Sequence, residues 1–199
     1  KGRPEESTKH IERIKSSVNN LTGILNDFLS LSKIEEGKVE LKIQKVNLQE
    51  LCDDIMVDLS LLLKGQQNIN CHHNQNSKII FTDPGILKNI IFNLTSNAVK
   101  YTHIESGQIN LIMTEENNFL VFTVEDNGIG IPEAEQKHLF ERFFRASNVE
   151  NIQGTGLGLN IVRRYVKLLG GDISFKSNQN TGTTFTFKIP IGNEENISH

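Results

Sequence analysis

Within residues 90–102, IIFNLTSNAVKYT, the side chains of Asn93, Asn97, Lys100 and Tyr101 fall at i, i+4, i+7 and i+8, one stripe of an α-helix. Leu87, Ile91, Leu94 and Ala98 take the neighbouring stripe. One side of such a helix can enter a core while the other lines up two amides, an ammonium and a phenol. Asparagine oxygens are hard, neutral donors of the kind Mg2+ accepts, since it takes few protein ligands and keeps water and phosphate oxygens. An ammonium one turn further on can meet phosphate charge. Taken alone, the same residues also describe a helix with a solvated polar face.

Three glycine-bearing segments and one aromatic segment follow. In VEDNGIGIP (124–132) a strand ends at Glu125, and Asp126 is followed by Gly128, Gly130 and Ile131. The glycines permit tight turning and close approach of a flat ligand. A carboxylate held at a strand end can accept a hydrogen bond from an exocyclic amine such as that of adenine. A plain Asp-Asn-Gly turn would look the same. GTGLGL (154–159) has the spacing G-x-G-x-G, but it follows a loop and not a strand, so the dinucleotide fingerprint fails on context. Glycines at a helix start still leave amide N–H groups for phosphate oxygens. In LFERFFRA (139–146), Phe140, Phe143 and Phe144 are expected to anchor the base of a lid in the core, and Arg142 and Arg145 to border the phosphate region. TGTTF (181–185) is a tight turn into the last strand.

These segments need elements to hold them. Ile11, Ile14, Val18, Leu21, Leu25 and Phe28 alternate in steps of three and four, a seam on one long helix ended by Gly37. Ile24, Leu29 and Leu31 widen that stripe toward a helix bundle. Residues 38–46 alternate like a strand, and Asn47 and Glu50 have capping-box spacing for a helix to about Lys64. A weak strand is expected around 68–73. Asp83 and Pro84 open a helix that runs to Tyr101. Strands at 108–114 and 119–125, a short helix from Pro132 to about Phe144, a mobile loop at 145–153, a helix at 157–169 and strands at 172–177 and 183–189 complete the series. Interspersed strands and helices with frequent hairpins give an α/β (α+β) class: a two-layer sandwich with a mixed sheet and helices on one face, preceded by a long bundle-forming helix. The domain division expected is 1–37, 38–190 and a polar tail at 191–199.

Composition narrows the function. At 199 residues, 37% hydrophobic and 23% charged, the chain is globular. A formal charge of -3 gives no electrostatic reason for nucleic-acid binding. Cys52 and Cys71 form neither a disulfide framework nor a metal pattern by spacing, which points to a reducing, cytoplasmic setting. No apolar run approaches the roughly 18 residues of a membrane span. The chain opens on Lys1, as a piece of a longer protein, membrane-anchored or not, would.

In order and spacing, the chain from about residue 9 to 190 resembles the sensor histidine kinases of two-component signalling. IIFNLTSNAVKYT is similar to that family's N box, EDNGIG to its first glycine box, LFERFF to its F box, GTGLGL to its second glycine box and TGTTF to a looser third. ILNDFLSLSKIEEGKVEL (24–41) resembles the second helix of the family's dimerisation and phosphotransfer hairpin. The resemblance implies an ATP site of the gyrase and MutL type. It would use ATP and Mg2+, with Asn93 and Asn97 on the metal and phosphates and Lys100 on the phosphates. Tyr101 would line the pocket, Asp126 read the adenine amine, and Gly128, Gly130, Ile131, Arg145, Gly154, Thr155, Gly156, Leu157, Gly158, Leu159 and Thr184 surround the nucleotide. It also implies a response-regulator receiver domain as partner and a homodimer through residues 9–36. Relatives that hydrolyse ATP carry a glutamate where Asn93 stands; an amide is no general base, which favours transfer over hydrolysis.

The histidines depart from the pattern. The family's acceptor histidine is followed by an acid and a proline, and none of His10, His72, His73, His103, His138 or His199 has that context. The expectation is a kinase fragment that binds ATP without phosphorylating itself; the alternative is a non-catalytic nucleotide-sensing dimerisation module.

Overall fold

The computed structural model describes residues 4–74, 79–149, 152 and 154–192. Residues 75–78, part of the expected 145–153 loop (150, 151 and 153) and most of the expected tail (193–199) lie outside the described residues. The chain divides into two compact units, Lys1–Val39 and Glu40–His199.

The first unit is one helix, α1 (Pro4–Glu35), followed by Gly37 at φ +64, a left-handed backbone that suits glycine after a last turn. Its apolar stripe is open: Ile11, Ile14, Val18, Leu21, Leu25 and Phe28 are all more than half exposed. No described helix is long and apolar enough to cross a membrane.

In the second unit, β1 (Gln44–Asn47) pairs antiparallel with β3 (Ile79–Thr82). A five-stranded sheet has the order β2 (Asn68–Asn74), β4 (Gln108–Glu116), β5 (Phe119–Asp126), β7 (Gly182–Pro190), β6 (Asp172–Asn178). Only β2 and β4 run parallel, so the sheet is mixed. Helices α2 (Leu48–Ser60), α3 (Pro84–Tyr101) and α4 (Gly158–Leu168) complete the α+β two-layer sandwich. Alternate residues of β4, β5 and β7 are buried, including Leu111, Met113, Phe122, Val124, Phe185 and Phe187, and Phe122 stacks on Phe187 at 4.7 Å. The pleat sends the residues between them to the opposite face, where Asn70, Asn110 and Glu125 form a hydrogen-bonded ladder across three strands.

Caps fix the central helix. Asp83 accepts from the Ile86 amide at 3.0 Å through one carboxylate oxygen and from the Lys42 amide at 2.8 Å through the other. Pro84 fills the first turn. At the far end the buried Gln67 amide donates to the carbonyls of Val99 and Thr102, satisfying acceptors that a helix end leaves open.

The local differences from the sequence-based expectations have physical causes. The expected strand 38–46 is regular only from Gln44, because β3 offers just four residues to pair with. The second helix stops at Ser60, short of Lys64. The expected helix after Pro132 is a 3-10 helix, Glu133–His138, whose bonds run i to i+3 (Glu135 N–H to Pro132, Leu139 N–H to Gln136). Phe143 is no anchor: it is 66% exposed at φ +60. Phe140 does pack, edge-on against Phe175 at 5.8 Å, and Phe144 lies 5.6 Å from His138.

Candidate functional site

Asp126 ends β5 between two glycine segments. Its Oδ1 accepts from the Gly128 amide at 2.9 Å and the Thr183 amide at 3.3 Å. Those two bonds consume one oxygen and fix the carboxyl plane, which leaves the other as the free acceptor of a group that lines a cavity. Burial pushes the Asp126 carboxyl up to about 6 despite the opposing pull of the two amides.

The glycines permit the close approaches that build this corner. A Cβ on Gly128 would stand 2.4 Å from the Tyr101 carbonyl, and one on Gly182 would stand 1.9 Å from the Asp126 carbonyl. Gly130 adopts φ +61, with Asn178 O 2.0 Å from the place a Cβ would take. The segment is threaded between the end of α3 and the β6–β7 turn: Ile129 N–H donates to Tyr101 O at 3.2 Å, and Asn180 N–H to Ile129 O at 2.8 Å.

The cavity beside Asp126 is lined by Asn97, Lys100 and Tyr101 of α3; by Gly130 and Ile131; by Leu139, Phe144, Arg145, Asn148 and Val149; by Gly154, Thr155, Gly156, Gly158 and Leu159; and by Thr183 and Phe185. The ammonium of Lys100 sits 4.9 Å from the Tyr101 ring centre and 2.6 Å from where a Cβ on Gly154 would be. The second glycine segment therefore approaches a cation. It leads into α4, whose N-cap Leu157 makes no side-chain cap bond. The first-turn amides of a helix have no intrahelical partner, so this end is suited to an anion.

Five residues expected at the site do not line the cavity. Thr184 stands opposite Glu125 and Lys176 on the outer face of the sheet, and its neighbour Thr183 takes the inner place. Leu157 is buried at 1% exposure. Gly128 shapes the corner by its contact with Tyr101 without reaching the cavity. Asn93 lies at the margin: its Nδ2 donates to Asn89 O and Oδ1, and its own Oδ1 is 3.0 Å from where a Gly158 Cβ would stand. Arg145 lines the cavity, but its guanidinium donates to the carbonyls of Val149 and Ile152, bracing the loop it belongs to. Arg142 is not among the lining residues.

Thr183 and Asn148 were not foreseen. Asn148 Nδ2 donates to Gly130 O at 2.9 Å, and its buried Oδ1 has no hydrogen-bond partner among the described residues. A buried acceptor without a donor is costly, and a ligand hydroxyl could supply one.

Residues 82–193 match the family model described as histidine kinase-, DNA gyrase B-, and HSP90-like ATPase. The chain belongs to this ATPase family. It is 36% identical over 191 residues, 94% of its length, to the circadian input-output histidine kinase CikA of Synechococcus elongatus. It spans between a fifth and a quarter of the length of the curated relatives it matches. Among solved structures, full-length ShkA in complex with AMPPNP is 26% identical with a TM-score of 0.76, over 94% of this chain and 39% of that one. Histidine kinase ThkA in complex with the response regulator TrrA is 25% identical with a TM-score of 0.69, over 96% and 53% respectively. Residues 82–193 therefore form a domain of this ATPase family, similar in sequence to the corresponding part of histidine kinases.

In such an ATPase domain the donor set fits a nucleotide with Mg2+. Asn97 and Asn93 offer neutral amide oxygens near the glycine segment. The bonds from Asn93 Nδ2 to Asn89 turn its oxygen toward α4. Neutral oxygen donors suit an ion that draws most of its ligands from water and phosphate. Asn97→Ala is expected to abolish the Mg2+ dependence of nucleotide binding, read as equal affinities with Mg2+ and with a chelator. Retention of the full Mg2+ effect would exclude ligation by Asn97.

Proposed function

We propose that this chain binds Mg2+-ATP in the cavity beside Asp126 and donates the γ-phosphate to a histidine, for relay to a response-regulator aspartate. The single observation that carries the proposal is Asp126: a carboxylate with one oxygen fixed by two backbone amides and the other available beside a glycine-framed cavity. That free oxygen would accept from the adenine amine. Tyr101 and Ile131 would bound the base, and Asn148 would take a ribose hydroxyl. Lys100 and the α4 amides would hold the phosphates, with Asn97 and Asn93 on the metal. Mg2+ would supply neutralisation of the triphosphate charge. In the transfer, the bond from γ-phosphorus to its bridging oxygen breaks and a bond to the histidine nitrogen forms, releasing ADP.

Asn93 supports transfer over hydrolysis, because no carboxylate occupies its place to activate water. ShkA in complex with AMPPNP supports the nucleotide, and ThkA in complex with TrrA supports a receiver-domain partner. Use of ATP also agrees with a cytoplasmic setting. The test is labelled ATP with residues 1–199 alone and with a longer chain that restores a preceding acceptor helix. Label is expected only on the longer chain, as acid-labile phosphohistidine. Steady phosphate release by residues 1–199 would instead make the domain a hydrolase.

Residues 9–36 we assign to the second helix of a dimerising hairpin, supported by the open stripe of α1, where Ile11, Ile14, Val18, Leu21, Leu25 and Phe28 stay exposed while Leu31 is buried. Leu21→Glu with Leu25→Glu is expected to shift the longer chain from dimer to monomer in sedimentation. A dimer of unchanged strength would remove this helix from the interface.

A further inference from the structure

Outside the nucleotide cavity, one cluster of soft ligands comes together that the spacing of the cysteines did not reveal. Cys52 lies on α2, while Cys71 and His73 lie two residues apart on β2 and so share one face of that strand. Cys52 Sγ, Cys71 Sγ and a ring nitrogen of His73 all lie within 4.8 Å of one another. Cys71 Sγ and His73 Nε2 are 3.4 Å apart. The register of β2 with β4 sets His73 opposite Met113, whose Sδ is 3.3 Å from Cys52 Sγ. Burial is graded, with Cys52 inaccessible, Cys71 half-buried and His73 exposed, so the cluster opens to solvent through the imidazole.

We propose that Cys52, Cys71 and His73, with Met113 as a fourth donor, form a site for a thiophilic closed-shell cation, Cu(I) or Zn(II). Two sulfurs on bonds of about 2.3 Å at a tetrahedral angle stand roughly 3.8 Å apart. The donor atoms of Cys52, Cys71 and His73, within 4.8 Å of one another, therefore need to close by about an ångström or less. Thiolate and imidazole serve either ion, whereas a thioether favours Cu(I). Binding displaces the thiol protons to solvent, so affinity falls as pH falls. The bound ion would tie β2, an edge strand, to α2. The proposal does not rest on the nucleotide reading, so either can fail alone.

The test is competition of residues 1–199, handled anaerobically, against a chromogenic Cu(I) chelator and, separately, a Zn(II) indicator. One equivalent of at least one ion is expected to bind, with a rise in melting temperature. In Cys71→Ser/His73→Ala, both surface-accessible positions, affinity is expected to fall at least about 100-fold, the upper range for losing even an outer-shell partner. Met113→Leu, a volume-conserving change, is expected to weaken Cu(I) and leave Zn(II) unaltered, which separates the two ions. Far-UV circular dichroism and cooperative melting of each metal-free variant report that the domain remains folded. Absence of stoichiometric binding of both ions, or binding that survives the double substitution, would overturn the site. So would recovery of the anaerobic protein with Cys52 and Cys71 already joined as a disulfide.

Discussion

Asp126→Asn is expected to weaken ATP binding by about 1.5–3 kcal/mol, the range for a hydrogen bond to a charged group, and at the same time to stabilise the unliganded domain. Both effects follow from one geometry. The oxygen of the introduced amide would keep accepting from the Gly128 and Thr183 backbone N–H groups, and its NH2 would then face the cavity. There a donor would meet the adenine amine, another donor.

The stability effect follows from the raised carboxyl pKa. The Asp126 carboxyl titrates at about 6 in the fold, against an ordinary value of 3.8. Its folded pKa is raised, so the linked stability is fully present below about pH 4 and is lost as pH rises through about 6. At pH 7.5 the ionised, buried carboxylate therefore costs the empty domain up to about 3 kcal/mol, at about 1.4 kcal/mol per pKa unit. The amide does not carry this cost. Denaturant unfolding should show the substituted domain more stable at pH 7.5, with the difference reduced to about half at pH 5. A substituted domain that is less stable at both pH values, or that binds ATP as tightly as before, would show that Asp126 is structural.

Gly130→Ala is expected to destabilise the domain by about 2–4 kcal/mol, combining left-handed backbone strain with overpacking. The residue holds φ +61, and an added Cβ would stand 2.0 Å from the Asn178 carbonyl, which cannot swing away as a flexible side chain would. Relief by moving the strand turn would pull Thr183 from Asp126, so nucleotide affinity should fall together with the melting temperature. Alanine at Gly23 provides the contrast, because nothing lies within 4 Å of a Cβ there. A Gly130→Ala domain with unchanged melting and affinity would mean that the turn yields freely, and that this corner is not the rigid element described.

How far the sequence could be read follows from what each feature depends on. The central helix was legible because its signals are local: Asp83 and Pro84 at the start, apolar residues at helical spacing, and Tyr101 at the end. The glycine segments were legible because close backbone approach leaves few other residue choices. Thr184 was misplaced by a single residue, because strand parity decides the face and a slip of one reverses it. Phe143 looked like core by type, yet its left-handed backbone carries it outward, and composition does not encode that. Asn148 had no periodic context to mark it. The Cys52, Cys71 and His73 cluster was hidden for a different reason. Cys52 sits on a different element from Cys71 and His73, and only the fold brings their side chains together.

The identity of the base at Asp126 is the most direct point of test. Calorimetric titration of residues 1–199 in Mg2+ with ATP and with inosine triphosphate, which replaces the exocyclic amine by a carbonyl, isolates that one hydrogen bond. ATP is expected to bind at one site per chain and at least about tenfold more tightly, since about 1.4 kcal/mol corresponds to that factor. Equal affinity for the two nucleotides, or no binding of ATP, would contradict the assignment of this cavity as an adenine nucleotide site.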